Sequence, residues 1–378
     1  LRGLWMQRAW KFCQTAEGQA RDEYLERLAN LTIMTGDVDL ALKVWKEMPE
    51  SMSENYIWRQ RVMLLTAVNR WPEVIEILNQ QLEDSQNEEG GLVSAAFHAY
   101  IAAALRRDGK ESKAQEHDRL AEKLSLGDAT ASQQIADAYA FGDDFARAKT
   151  WRLRALSQLS PKSSRFGALA AEVCDELLLS PEHWQLAAAL AEVSAAEAVS
   201  DEYYRFELGS GKMQLRLKAD ACRALASIKA GGDRQAAIAA LERCHKRFIT
   251  DGELADFFFP ALLKAGLRKE HDAWFDETWN CFQDQLTRYP QSWNTHNTAA
   301  WLAARAVRRL DEAQKSMQLV LEQFPLHPAY LDTMGEIEFA RGNRRKAMEW
   351  SLKSIAQAPD EVDLRRQHDH FKRDPLPR

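Results

Sequence analysis

The sequence predicts an all-α solenoid of about nine antiparallel helix hairpins, and three observations lead there. Small and apolar residues return at a spacing near 34: Ala313 and Ala347 are 34 apart, and Pro290, Pro325 and Pro359 are separated by 35 and 34. A period of that length is one helix pair, the unit that repeat proteins stack. Glycine and proline are scarce, 17 and 11 in 378 residues, which gives too few turns for an all-β fold or a many-looped α/β enzyme. No run alternates apolar and polar residues for long enough to make a sheet.

Taken in order, residues 1–20 read as a partial leading helix and 21–161 as N-terminal hairpins. The small position of each second helix serves as an anchor: Ala41, Val74, Ala114, Ala148, Ala237, His271, Ala313 and Ala347. The intervals are 33, 40, 34, 89, 34, 42 and 34. Those of 40 and 42 are one repeat plus one or two helical turns. The 89 holds two hairpins, with a longer pair of helices near 163–179 and 182–200, so 162–231 reads as a divergent segment. Residues 232–359 return to regular hairpins, and 360–378 are a polar capping helix and tail. Boundary signals agree. Ser180-Pro181-Glu182 sets a hydroxyl before a first-turn proline and an acid, and Trp71-Pro72-Glu73 opens a helix similarly. Gly36-Asp37, Gly109-Lys110 and Gly232-Asp233 sit where a first helix would end in a left-handed residue.

The residues within the period are specific. Leu331, Met334, Gly335, Gly342, Ala347 and Pro359 form one skeleton. It returns as Ala136, Tyr139, Ala148, Ala155 and Ser160-Pro161, and again as Leu25, Leu28, Ala29, Gly36-Asp37, Ala41 and Trp45. Small residues let paired helices approach, and a proline after the second helix starts the next hairpin. This skeleton resembles the tetratricopeptide repeat (TPR). The resemblance implies a right-handed superhelix whose first helices line a concave groove, acting as a non-catalytic scaffold for a peptide or helix of a partner protein. Carried over position by position, it makes these residues the partner-binding candidates: Glu26 and Asn30, Arg59 and Met63, Gln133 and Asp137, then Asn294, Asn297, Trp301 and Arg305, and finally Asp332 and Glu336. Asn294, Asn297 and Arg305 would present amides and a guanidinium able to hold a peptide backbone or carboxylate. Asn294 reads equally as the cap of its own helix. Ala96, Ala99 and Ala103 could admit a partner helix or pack on the neighbouring hairpin. Arg305-Arg308-Arg309 and Arg341-Arg344-Arg345-Lys346 read as helix-terminal charges before they read as a basic ridge.

Composition narrows the rest. Fifty Lys and Arg against 56 Asp and Glu leave a charge of −6, which speaks against nucleic-acid binding, including helical-repeat RNA binding, where a basic groove is needed. Five cysteines, odd in number and without a CxxC spacing, indicate neither a zinc site nor a disulfide framework, and their unpaired thiols favour a reducing cytoplasm. No membrane span is expected: the longest apolar run, Phe257-Phe258-Phe259-Pro260-Ala261-Leu262-Leu263, stops at Lys264. The chain opens on Leu1 within a helical pattern, so it is expected to continue a longer protein carrying an anchor or enzyme.

No catalytic motif, cofactor or metal site is expected. Gly209-Ser210-Gly211-Lys212 lacks the spacing of a phosphate loop, and Met213 follows the lysine. His368-Asp369-His370 reads as a solvated tail, Cys244-His245 point about 100° apart on one helix, and His271 takes a packing position. One enzyme alternative remains, an α/α toroid such as a glycosidase, with paired carboxylates and some of the 12 tryptophans in a central cavity. Trp45, Trp58, Trp151 and Trp350 fall near packing positions, which argues against it.

Overall fold

A computed structural model describes residues 2–15, 17–35, 38–48, 54–88, 91–197, 211–252, 254–358 and 361–376, and every regular element among them is helical. A leading helix α1 (Arg2–Cys13) is followed by paired helices. These are α2 (Gln19–Thr35) with α3 (Val38–Lys46), α4 (Glu54–Ala67) with α5 (Trp71–Glu88), and α6 (Gly91–Arg107) with α7 (Glu111–Leu124). Next come α8 (Ala129–Phe141) with α9 (Phe145–Gln158), α10 (Ser164–Leu177) with α11 (Trp184–Glu197), and α12 (Gly211–Lys229) with α13 (Arg234–Arg247). The last are α14 (Phe259–Lys264) with α15 (Arg268–Arg288), α16 (Trp293–Arg305) with α17 (Leu310–Gln323), and α18 (Pro328–Ala340) with α19 (Arg344–Gln357). A final helix, α20 (Val362–Arg373), closes the series. The described helices therefore make nine hairpins.

The anchors behave as close-packing points. Ala41, Val74, Ala114, Ala148, Ala237, His271, Ala313 and Ala347 are all buried. A β-carbon at Gly335 would come within 3.1 Å of the Phe371 ring and 3.3 Å of the Ala347 carbonyl, so a larger residue there would push α20 or α19 back by a few tenths of an ångström. The long intervals come from long helices: α5 has 18 residues and α15 has 21, where the second helices of the last two hairpins have 14.

Two boundary expectations shift by a residue or a bond. Gly109 takes the left-handed conformation as expected, but in the α12–α13 turn Gly231 takes it rather than Gly232. The reason is Asp233, whose carboxylate accepts from the Gln235 and Ala236 amides at 2.9 and 3.0 Å, and whose capping role fixes an extended backbone just before α13. The Ser180 hydroxyl does not cap; Pro181–His183 form a 3₁₀ turn before α11 begins at Trp184. Gly36-Asp37 and Pro359 lie outside the described residues. The apolar run before Lys264 is a buried helix containing a π turn, Leu254–Phe258, immediately ahead of Pro260. Proline has no N–H to give the carbonyl four residues back, so the regular ladder cannot pass Asp256.

Two compact units share the chain. The first comprises Leu1–Leu126, Asp137–Asp144 and Ile355–Arg365; its core includes Leu25, Leu28, Trp45, Val74 and Leu78. The second comprises Gly127–Ala136, Phe145–Ser354 and Arg366–Arg378; its core runs through Val173, Leu225, Phe258, Phe275 and Met317. Within the second unit, Phe371 of α20 is fully buried against Phe339, with ring centroids 5.1 Å apart.

Candidate functional site

Two faces carry the sequence-predicted residues, and they differ in kind. In the first unit, the first helices of three consecutive hairpins present pairs three or four residues apart, hence on one side of each helix: Arg59 and Met63 on α4, Phe97 and Tyr100 on α6, Asp137 and Phe141 on α8. Arg59 and Asp137 are exposed, while Met63, Phe97, Tyr100 and Phe141 are half-buried. The rings touch from helix to helix: Trp58 and Phe97 lie 5.6 Å apart, and Tyr100 and Phe141 lie 5.4 Å apart edge to face. Arg59 stacks over Trp58 at 5.5 Å. Burial pushes the Tyr100 hydroxyl up to about 12, the Asp137 carboxylate adds to the rise, and Arg59 opposes it. A positive and a negative side chain thus act on one aromatic floor.

In the second unit, the equivalent positions are bonded to one another. The Tyr330 hydroxyl donates to Asn294 Oδ1 at 3.0 Å, and Thr333 donates to Asn297 Oδ1 at 2.7 Å, each joining α16 to α18. Asn294 does not cap α16; Ser292 precedes its first residue. Arg305 donates to Glu336 Oε1 at 3.0 Å and to the Asp256 carbonyl at 3.3 Å, the same carbonyl that Pro260 cannot serve. The Trp301 indole N–H donates to the Asp256 carboxylate. Glu336 is only 3% exposed, because α20 lies across its helix face and Gln367 donates to its other oxygen. Gln133 accepts from Arg165 of α10, and Asp332 is half-buried on α18. Glu26 and Asn30 lie on α2, and their side chains fall outside the described residues.

Other sequence candidates find structural partners. Ala99 and Ala103 are buried, and a β-carbon on Gly142 would come within 2.7 Å of Ala103, so this stripe packs against the next hairpin. Arg308 bonds Asp272 at 2.9 Å and Asp276 at 3.1 Å, and Arg341 bonds Asp311 at 2.6 Å, each linking one hairpin to the preceding one. His368 and His370 are not in a solvated tail. His368 reaches Ser351 at 3.2 Å and His370 lies 4.9 Å from the Phe339 ring, because α20 docks on α18 and α19. Among the described residues, no cluster of three His, Cys, Asp or Glu could hold a metal ion, and no helix is long and apolar enough to cross a membrane.

Helix hairpins stacked at buried small residues, with first helices bonded in series, decide the fold type. The chain is an all-α repeat of antiparallel helix hairpins. The sequence matches no family model and no curated protein. Among solved structures, the C-terminal part of a TPR repeat-containing protein from Cytophaga hutchinsonii is 12% identical, with a TM-score of 0.32, covering 81% of this chain and 98% of that one. Yeast Tom70 is 10% identical, with a TM-score of 0.29, covering 97% of this chain and 91% of its own.

Sequence reasoning missed Asp256 and the α6 aromatics. Pro260 leaves the Asp256 carbonyl to accept from Arg305, a signal present in the Phe-Phe-Phe-Pro run, while the Asp256 carboxylate accepts from Trp301. Phe97 and Tyr100 were masked by the alanines beside them.

Proposed function

We propose that this TPR-like chain is a non-catalytic scaffold that holds a peptide or helix of a partner protein on the α4–α6–α8 face. The observation that supports this is the run of half-exposed Met63, Phe97, Tyr100 and Phe141 flanked by exposed Arg59 and Asp137. Interface hot spots are enriched in Trp, Tyr and Arg, and aromatic rings bury large rigid surfaces at low entropic cost. Asn294, Asn297, Arg305 and Glu336 act on this reading as a polar ladder that sets the spacing of α16, α18 and α20. The carboxylates of Asp256 and Glu336 are engaged by Trp301, Arg305 and Gln367, which speaks against their use as a glycosidase pair.

A displayed library of protein-derived peptides tests the reading. The native chain should enrich peptides with apolar anchors, and a Met63→Asp, Arg59→Glu variant with native circular dichroism should lose them. Identical enrichment by both proteins would refute the face; no enrichment by either would refute peptide binding.

A further inference from the structure

A second surface stands apart from that face, in the sixth hairpin. Between α12 and α13 runs an open groove of about 480 Å³, within the range of about 300–1,000 Å³ found for ligand clefts. Its floor is apolar, with Leu217 and Ala224 from α12 and Ala240 and Phe248 from the α13 side. Its walls are mostly cationic: Arg216 and Arg223 stand on α12, Arg243 and Arg247 on α13.

The charges in the groove divide clearly. Its two acids are in use, Asp220 accepting from Arg223 at 3.0 Å and Asp233 accepting from the first amides of α13. Arg223 also bonds Glu192 at 2.8 Å. The other three arginines are exposed, and among the described residues their guanidinium groups make no hydrogen bond or ion pair; Arg247 only lies over the Phe248 ring at 5.8 Å. In a chain of net charge −6, elsewhere laced with hairpin-to-hairpin ion pairs, three such arginines on both walls of one apolar groove form a local positive field. Arg243 and Arg247 are four residues apart and so share one helix face, while Arg216 faces them from the opposite wall.

We propose that this groove binds an acidic peptide segment of a protein partner, with an apolar side chain between its carboxylates. The carboxylates pair with Arg216, Arg243 and Arg247 in fork geometry, and the apolar side chain covers the Leu217–Phe248 floor. The floor selects a peptide over a bare polyanion, because phosphate chains alone leave that apolar surface wet. The site is independent of the α4–α6–α8 face and stands or falls separately.

Fluorescence anisotropy of a labelled Glu-Glu-Leu-Phe-Glu-Glu peptide tests it on the full chain. Saturable binding with a dissociation constant below about 100 μM is expected at about 50 mM salt, weakened at about 500 mM. Arg243→Glu with Arg247→Glu should weaken it at least tenfold, and Ala240→Trp, which fills the floor, should do the same without changing charge. Arg243→Gln with Arg247→Gln serves if the glutamates disturb the circular dichroism. Arg59→Glu should leave this binding intact, which separates it from the peptide face proposed above. The proposal is overturned by no saturable binding, by equal binding of a Lys-Lys-Leu-Phe-Lys-Lys peptide, by arginine variants that bind as the native chain does, or by tighter binding of oligothymidine than of the acidic peptide.

Discussion

Replacing Phe371 by alanine should detach α20 and little else. The Phe371 ring is fully buried, packed on Phe339 and seated over Gly335. Removing a buried phenylalanine costs about 3–5 kcal/mol, the lost transfer energy plus the cavity left behind. Arg344 caps the far end of α20 by donating to the Phe371 and Asp374 carbonyls, and Gln367 holds Glu336, so both bonds go if the helix lifts. In a repeat array the loss cannot spread far, because each element touches mainly its neighbours. Hydrogen exchange reads this directly. Amides of α20 should lose protection by about two orders of magnitude, the equivalent of about 3 kcal/mol, while α10 and α12 keep theirs. Phe371→Leu, which conserves most of the volume, should cost less than half as much. Native protection of α20 in the alanine variant, or a loss shared evenly by all hairpins, would refute the reasoning.

Further outcomes follow from single contacts. Glu336→Ala leaves Arg305 without its carboxylate in a covered position and should cost about 3–5 kcal/mol in urea unfolding, with Glu336→Gln costing less because its amide oxygen still accepts. Asp233→Ala removes the α13 cap and should cost about 1 kcal/mol, read as a lowered thermal midpoint. His98 and His117 face each other with Nδ1 atoms 2.9 Å apart. Burial, and then the neighbouring imidazole, brings His98 down to about 4, and burial also lowers His117. Because the unfolded histidine takes up its proton near 6.5 and the folded one only near 4, stability should be full above about pH 6.5 and fall as pH drops toward about 4, by at most about 3 kcal/mol. His98→Phe should flatten that part of the denaturation–pH profile; an unchanged slope would remove the pair as its source.

The sequence by itself determined the helical class, the repeat and its packing points. These are local or periodic: a residue that is alanine in six of the eight anchors recurs at a spacing near 34 and marks where two helices meet, and all eight anchors, Val74 and His271 included, are buried. The lengthened intervals were legible too, since extra turns in α5 and α15 appear directly as extra residues. The tertiary structure alone decided which of the candidate positions stay accessible. Asn294, Asn297 and Arg305 look in sequence much like Arg59 and Asp137, polar residues on the first helix of a hairpin. They differ because Tyr330, Thr333 and Glu336 stand one hairpin later to receive or supply their hydrogen bonds, and because α20 folds over Glu336. Whether a polar side chain is satisfied depends on partners some 30 residues away, whereas helical periodicity reports only the face on which it stands.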